Sequence, residues 1–205
     1  MRFLLSCCIM GAFLTLGTCL ECEVCSSSED NCHGPMKTCG SDENTCIASV
    51  MEVSIPTGTI KSFGKGCASS KMCHLGIAEM NFGNGNRVRV NRACCVGHSC
   101  KTAPLPVLPP VDTKPNGLKC PGCFGVSTEC HETEMACTGS ETKCMDMAGK
   151  LTMSGPMNLD VALKGCANQL VCSHLKLGHF TLSGSSADLT KAACTPASKA
   201  AKKSP

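Results

Sequence analysis

Apolar residues cluster once at the start of the chain, from Phe3-Leu4-Leu5 through Leu16, and are dispersed thereafter. Arg2 precedes the run, and Gly17, Thr18 and Cys19 follow it. A basic start, an apolar stretch and small residues predict a secretory signal peptide over 1–20. No later stretch reaches the roughly 18 apolar residues that a membrane helix needs. Downstream, Arg87-Val88-Arg89-Val90 alternates polar and apolar side chains, the period of a strand with one wet face. Four long intervals between cysteines, Cys46 to Cys67, Cys73 to Cys94, Cys144 to Cys166 and Cys172 to Cys194, carry turn residues near their midpoints. Pro56-Thr57-Gly58, Gly83-Asn84-Gly85-Asn86, Ser154-Gly155-Pro156 and Ser183-Gly184-Ser185-Ser186 supply the backbone angles of chain reversals. Each interval therefore reads as a β-hairpin, and the fold as small and all-β.

The cysteines add a second periodicity. Cys22, Cys25, Cys32, Cys39 and Cys46 recur 98 residues later as Cys120, Cys123, Cys130, Cys137 and Cys144. Cys67 and Cys73 recur 99 residues on as Cys166 and Cys172, and Cys94 recurs 100 residues on as Cys194. The chain is thus a duplicated module. Module one spans 21–100 and module two 120–196, with a linker at 101–119 and a basic tail at 197–205. Prolines at 104, 106, 109, 110 and 115 predict a stiff, extended linker, spanning on the order of 20 Å over its seven most proline-rich residues.

Composition decides what holds such modules together. There are 21 Cys in 205 residues, no Trp, no Tyr and six Phe, so aromatic packing cannot be the main cohesive force. Modules this small bury little surface and depend on covalent staples. A bridge closing a loop of about 25 residues is worth roughly 3 kcal/mol in the chain-entropy account. Loss of Cys7, Cys8 and Cys19 with the leader leaves 18 cysteines, an even number suited to an oxidising, extracellular compartment. The C-terminal segment from Pro196 to Pro205 has no hydrophobic tail of the kind a glycolipid anchor requires. A secreted protein without a membrane anchor is expected. The net charge of +3 is too small to indicate a nucleic-acid partner.

The order Cys-x2-Cys-x6-Cys-x6-Cys-x6-Cys, a long loop, Cys-x5-Cys, a second long loop and Cys94-Cys95-x4-Cys100 resembles the three-finger domain of the lymphocyte-antigen and urokinase-receptor family. Asn116-Gly117, Cys120-Pro121-Gly122, Gly139-Ser140-Glu141-Thr142-Lys143-Cys144 and Lys164-Gly165-Cys166 narrow the likeness to the gamma-type phospholipase A2 inhibitors, as does Cys32-His33-Gly34-Pro35-Met36-Lys37-Thr38-Cys39. The resemblance implies two tandem three-finger domains, a small disulfide-rich all-β fold. Spacing alone does not choose among the possible pairings. The family pattern implies Cys22–Cys46, Cys25–Cys32, Cys39–Cys67, Cys73–Cys94 and Cys95–Cys100 in module one. In module two it implies Cys120–Cys144, Cys123–Cys130, Cys137–Cys166 and Cys172–Cys194. Lys101 departs from the family's usual Asn after the last cysteine, and Thr195-Pro196 follows Cys194 without a final small-loop bridge, which suggests a frayed end to module two.

No catalytic set emerges. Cys22-Glu23-Val24-Cys25 and Cys120-Pro121-Gly122-Cys123 have redox or zinc spacing, but both open a ladder that disulfides consume. His33, His74, His131 and His174 follow from the repeat, and a Cys–His dyad needs a free thiolate. Gly83-Asn84-Gly85 lacks the third glycine of a nucleotide loop, and neither a Gly-x-Ser-x-Gly elbow nor a His-Glu-x-x-His helix occurs. The expectation is a binding protein, with no enzyme activity, cofactor or metal. By resemblance its partner is a secreted phospholipase A2, inhibited stoichiometrically through surface contact. The gamma inhibitors form multimers, so the resemblance also admits homo- or hetero-oligomers. The alternative is a soluble ligand or modulator of a cell-surface receptor, because fold does not settle function. Candidate contacts are the linker residues Leu105, Val107 and Leu108, the positive strip of Arg87 and Arg89 with Arg92, and the finger residue Phe82. Glu129, Glu132 and Glu134, early in module two, are opposite in charge character to that strip.

Overall fold

The computed structural model describes residues 20–29, 31–73, 76–96, 100, 105–127, 129–152, 158–182 and 185–199. The leader expected at 1–20 lies outside these residues except for Leu20. Module one contains β1 (Glu21–Glu23), β2 (Cys25–Ser27), β3 (Met36–Thr38), β4 (Thr45–Ile55), β5 (Gly58–Ala68), β6 (Ala78–Gly83) and β7 (Asn86–Cys95). Module two contains β8 (Pro115–Gly125), β9 (Thr133–Thr138), β10 (Lys143–Thr152), β11 (Asn158–Ala167), a short helix α1 (Gln169–His174), β12 (Gly178–Leu182), β13 (Ser185–Pro196) and β14 (Ser198–Lys199). No helix among the described residues is long and apolar enough to cross a membrane.

The module-one hairpins follow from the turn chemistry, whereas the tips expected at Ser154-Gly155-Pro156 and Ser183-Gly184 lie outside the described residues. β4 and β5 pair antiparallel from Ile55 opposite Gly58 down to Thr45 opposite Ala68. β6 and β7 reverse at Asn84 and Gly85, both with positive φ, which an Asn-Gly pair adopts at low cost. β10 and β11 repeat the β4–β5 pairing in module two, with Cys144 opposite Cys166 where Cys46 lies opposite Cys67. At the base, disulfides join Cys22 to Cys46, Cys25 to Cys32, Cys39 to Cys67, Cys73 to Cys94 and Cys95 to Cys100. In module two they join Cys120 to Cys144, Cys123 to Cys130, Cys137 to Cys166 and Cys172 to Cys194.

The two modules share one sheet. Its strands run β12-β13-β10-β11-β6-β7-β4-β5-β2, and the crossing point is β11 against β6, with Cys166 opposite Asn81 and Ala167 opposite Met80. The same edge of β11 pairs at Ala162–Lys164 with Gly125, Phe124 and Cys123 of β8. Phe82 of module one, Met145, Val161, Leu163 and Ala167 of module two form one buried cluster, flanked by Met80 and Val88. Its residues come from both sides of the crossing, so the core of module two is completed by a finger of module one.

The segments outside the modules are more structured than their composition suggests. Pro115 already begins β8, inside the stretch expected to be linker. Pro106 is buried, and the Val107 carbonyl accepts a hydrogen bond from Asn91 Nδ2 at 2.7 Å, which lays the linker along β7. The expected fraying of module two is not seen. Ser198 and Lys199 pair with Lys119 and Leu118, and Ala197 N donates to Thr142 O at 3.1 Å.

Candidate functional site

The junction carries a dense set of buried polar contacts. Thr138 through Glu141 forms a tight turn between β9 and β10, in which Glu141 N donates to Thr138 O at 3.0 Å and Thr138 N donates back to Glu141 Oε2 at 2.8 Å. This places the Glu141 carboxylate, 0% exposed, against the third finger of module one. Arg87 Nη1 donates to Glu141 Oε1 at 2.6 Å, Asn81 Nδ2 to Glu141 Oε2 at 3.2 Å, and Arg87 Nη2 to Thr138 Oγ1 at 2.9 Å. A buried carboxylate needs this number of donors, because a lone charge out of water is strongly disfavoured. Asn168 supports the other side. Its Nδ2 donates to Ile77 O at 2.7 Å, its backbone N to Glu79 O at 3.1 Å, and its Oδ1 caps α1 through Val171 N at 3.3 Å. Ser140 Oγ donates to Glu79 Oε2 at 2.8 Å.

Backbone contact is equally close. A side chain at Gly165 would place Cβ 1.9 Å from Asn81 O, so only glycine lets β6 approach β11. Gly122 has the same role against Met135 and Phe82: its Cβ would lie 2.4 Å from Met135 Sδ and 3.2 Å from Phe82 O.

Three of the residues expected to meet a partner are committed inside the chain. Phe82 is 2% exposed in the shared core, with its ring 5.8 Å from that of Phe124. Arg89 is 2% exposed and lies between Glu79 and Glu52, at 3.1 and 3.5 Å. Arg87 bonds to Glu141. The positive strip expected to meet a partner is therefore not a free surface, because Arg87 and Arg89 are covered by carboxylates of the same chain. Arg92 is half-buried, burial pushes its guanidinium down from the ordinary value, and its Nε has no hydrogen-bond partner among the described residues. The acidic counterpart is also partly engaged, with Glu132 on Lys164 and Glu134 on Lys119. Contact with Glu132 and Asp146 raises the Lys164 ammonium above its ordinary value.

The linker residues are divided. Val107 is 76% exposed, Leu108 half-buried, and Leu105 lines a cleft of about 350 Å³ with Glu23, His33, Met36 and Ile47. In that cleft Lys65 Nζ donates to Glu23 Oε2 at 2.9 Å, and this bond is the leading reason the Glu23 carboxyl lies below its ordinary value. Other apolar groups that reach solvent include Met36, Ile60, Val96, Phe124, Val126 and Leu177.

Among the described residues two histidine rings face carboxylates, and a third, His174, has its Nδ1 3.1 Å from Ser173 Oγ. His33 Nδ1 lies 3.3 Å from Glu23, and His179 Nδ1 lies 2.9 Å from Asp188. No hydroxyl or thiol is hydrogen-bonded to either of these two rings among the described residues. The sulfurs of Cys22, Cys39 and Cys67, and of Cys120, Cys137 and Cys166, gather closely enough to suggest metal ligands. Each belongs to a disulfide, so thiolate ligation would first require reduction.

Comparison with known proteins gives this scaffold a family. A phospholipase A2 inhibitor family model matches residues 20–102, and a u-PAR/Ly-6 domain model matches residues 116–200. A gamma-subunit phospholipase A2 inhibitor of Gloydius brevicaudus siniticus is 41% identical over 185 residues, covering 90% of this chain and 92% of its own. The chain belongs to the phospholipase A2 inhibitor family. The corresponding gamma-subunit inhibitor of Elaphe climacophora is also 41% identical, over 96% of this chain and 97% of its own. Phospholipase A2 inhibitor NAI of Notechis ater is 40% identical over 84% and 86%. Family membership covers both modules, so the junction lies within the region of likeness.

The sequence contained a signal for that junction. Glu141 and Gly165 lie in the segments that resemble the gamma inhibitors, and they repeat Glu43 and Gly66 of module one. Counting repeats shows equivalence but not which copy is covered.

Proposed function

We propose that the protein is a secreted, non-enzymatic inhibitor that binds a secreted phospholipase A2 stoichiometrically and keeps the enzyme from its lipid surface. The observation that carries this reading is kinship with phospholipase A2 inhibitors at about 41% identity along nearly the full length of both partners. The architecture suits the task. Nine disulfides among the described residues and a sheet shared by both modules hold the outer surface in place, so little ordering cost falls on association. A stable complex needs on the order of 800 Å² from each partner. Val107 of the linker and Phe124 of module two are apolar groups open to such a contact.

The test is titration of purified secreted phospholipases A2, hydrolysing phospholipid vesicles, with the oxidised mature protein. Activity should fall linearly with added protein to an end point, and a complex should co-elute in size-exclusion chromatography. Undiminished hydrolysis across a panel of secreted enzymes at molar excess, with no complex, overturns the proposal.

A further inference from the structure

We infer that module one carries an open docking slot at Gly66–Ala68 and Glu43, and that its occupant is a short extended segment of another protein bearing a basic side chain. The internal repeat supplies the argument. In module two the equivalent slot is Gly165–Ala167 with Glu141, and it is filled by β6. Cys166 and Ala167 there are 0% exposed, Asn81 O lies against Gly165, and Arg87 neutralises Glu141.

In module one the same parts are present without the insert. Gly66, Cys67 and Ala68 are all half-exposed. They pair with β4 on one side, while β2 reaches β5 only at Phe63, Gly64 and Lys65 on the other. A Cβ at Gly66 would meet nothing within 4 Å. Glu43 holds the backbone N of Gly40 at 2.8 Å, as Glu141 holds Thr138, and has no ion-pair partner among the described residues. Asp42 stands at the position of Ser140 and adds a second acidic group. A strand edge with free backbone donors and acceptors recruits an extended chain, and the acidic pair selects a basic one.

The differences between the slots exclude this chain's own fingers as the occupant. Val24 replaces Gly122, which in module two leaves room for Phe82, and Lys37 replaces Met135, which packs against the inserted finger. A hairpin as bulky as β6–β7 does not seat there. The third finger of module two has Ser186 where Arg87 stands, so it brings no cation to Glu43. A short basic strand paired at Cys67 and Ala68 fits what remains.

The test uses the oxidised full chain and a blocked peptide with the sequence of residues 86–91, Asn-Arg-Val-Arg-Val-Asn, followed by amide chemical shifts in NMR. Saturable shifts should centre on residues 66–68 and 40–43. Glu43→Gln should weaken them about threefold, the scale of one exposed ion pair. Gly66→Val should weaken them by more than about tenfold by filling the edge. The proposal is overturned if no saturable shift appears at these amides, or if the peptide with Glu in place of both Arg residues shifts them equally. It is also overturned if the same amides shift with protein concentration alone, because the occupant would then be a second copy. None of these outcomes depends on phospholipase inhibition.

Discussion

Glu43 of module one and Glu141 of module two close the same turn in the same way, each accepting a backbone N–H from three residues earlier, at 2.8 Å. Around that shared turn the surroundings diverge. Glu43 is half-exposed and Glu141 is fully buried beneath Arg87 and Asn81. Gly66 faces open space while Gly165 touches a backbone carbonyl, and Ser69 caps a single 3-10 turn while Asn168 caps a helix and also binds module one. Duplication produced two equal turns and strand edges. One set became the joint between modules when a neighbouring finger supplied a cation and an amide, and the other stayed at the surface. The local geometry of an element is set within the module, and its contribution to stability is set by what arrives from outside.

Matched substitutions at these paired sites test that claim, beginning with the carboxylates. Glu141→Gln keeps the turn bond from Thr138 N but leaves the Arg87 guanidinium buried without its charge partner. The expected cost is about 3–5 kcal/mol, the range for breaking a buried pair. Glu43→Gln should cost less than about 1 kcal/mol because water takes up the difference. Urea unfolding with disulfides intact separates the two, and equal losses would show that the turn, not the joint, is what the carboxylate stabilises.

The glycines come next. Gly165→Ala places a methyl on Asn81 O and should push β6 from β11, at about 1–3 kcal/mol, the scale of overpacking. Gly66→Ala meets nothing, and replacing a strand glycine should leave stability unchanged or raise it by up to about 1 kcal/mol. Amide hydrogen exchange at Asn81 and Cys166 would report the parting of the strands in Gly165→Ala alone.

Much of this architecture is legible in the residue pattern, and the reason is locality. Cysteine spacing and turn residues such as Asn84-Gly85 act within one hairpin, and the small, disulfide-rich, all-β fold of two three-finger domains follows from them together with the family likeness. The junction is not legible in the same way because its partners are far apart in sequence. Arg87-Val88-Arg89-Val90 reads as a strand with a solvated cationic face, yet Glu141 covers Arg87 from another module, and Glu52 and Glu79 enclose Arg89. Phe82 reads as a finger contact for a partner, and its partner is module two of the same chain. Pro115 and Ser198 lie in segments that composition assigns to linker and tail, and only cross-strand pairing with Thr138 and Lys119 makes them β-structure.

The smallest of the paired effects is the most discriminating, because both side chains perform the same local task. Ser69 and Asn168 are repeat equivalents, and each accepts a hydrogen bond at the start of a helical turn, from Lys71 N at 3.4 Å and Val171 N at 3.3 Å. Loss of a cap alone costs about 0.5–2 kcal/mol. Ser69→Ala should fall at the low end, since its turn is a single exposed 3-10 segment. Asn168→Ala also removes the donor to Ile77 O and should fall about 1 kcal/mol higher, the net worth of one further hydrogen bond. Asn168→Ser separates the two contributions, since the shorter hydroxyl can still cap Val171 but cannot span to Ile77. If it restored full stability, the reach of Asn168 across the junction would count for nothing, and the two caps would be equivalent in energy as well as in place.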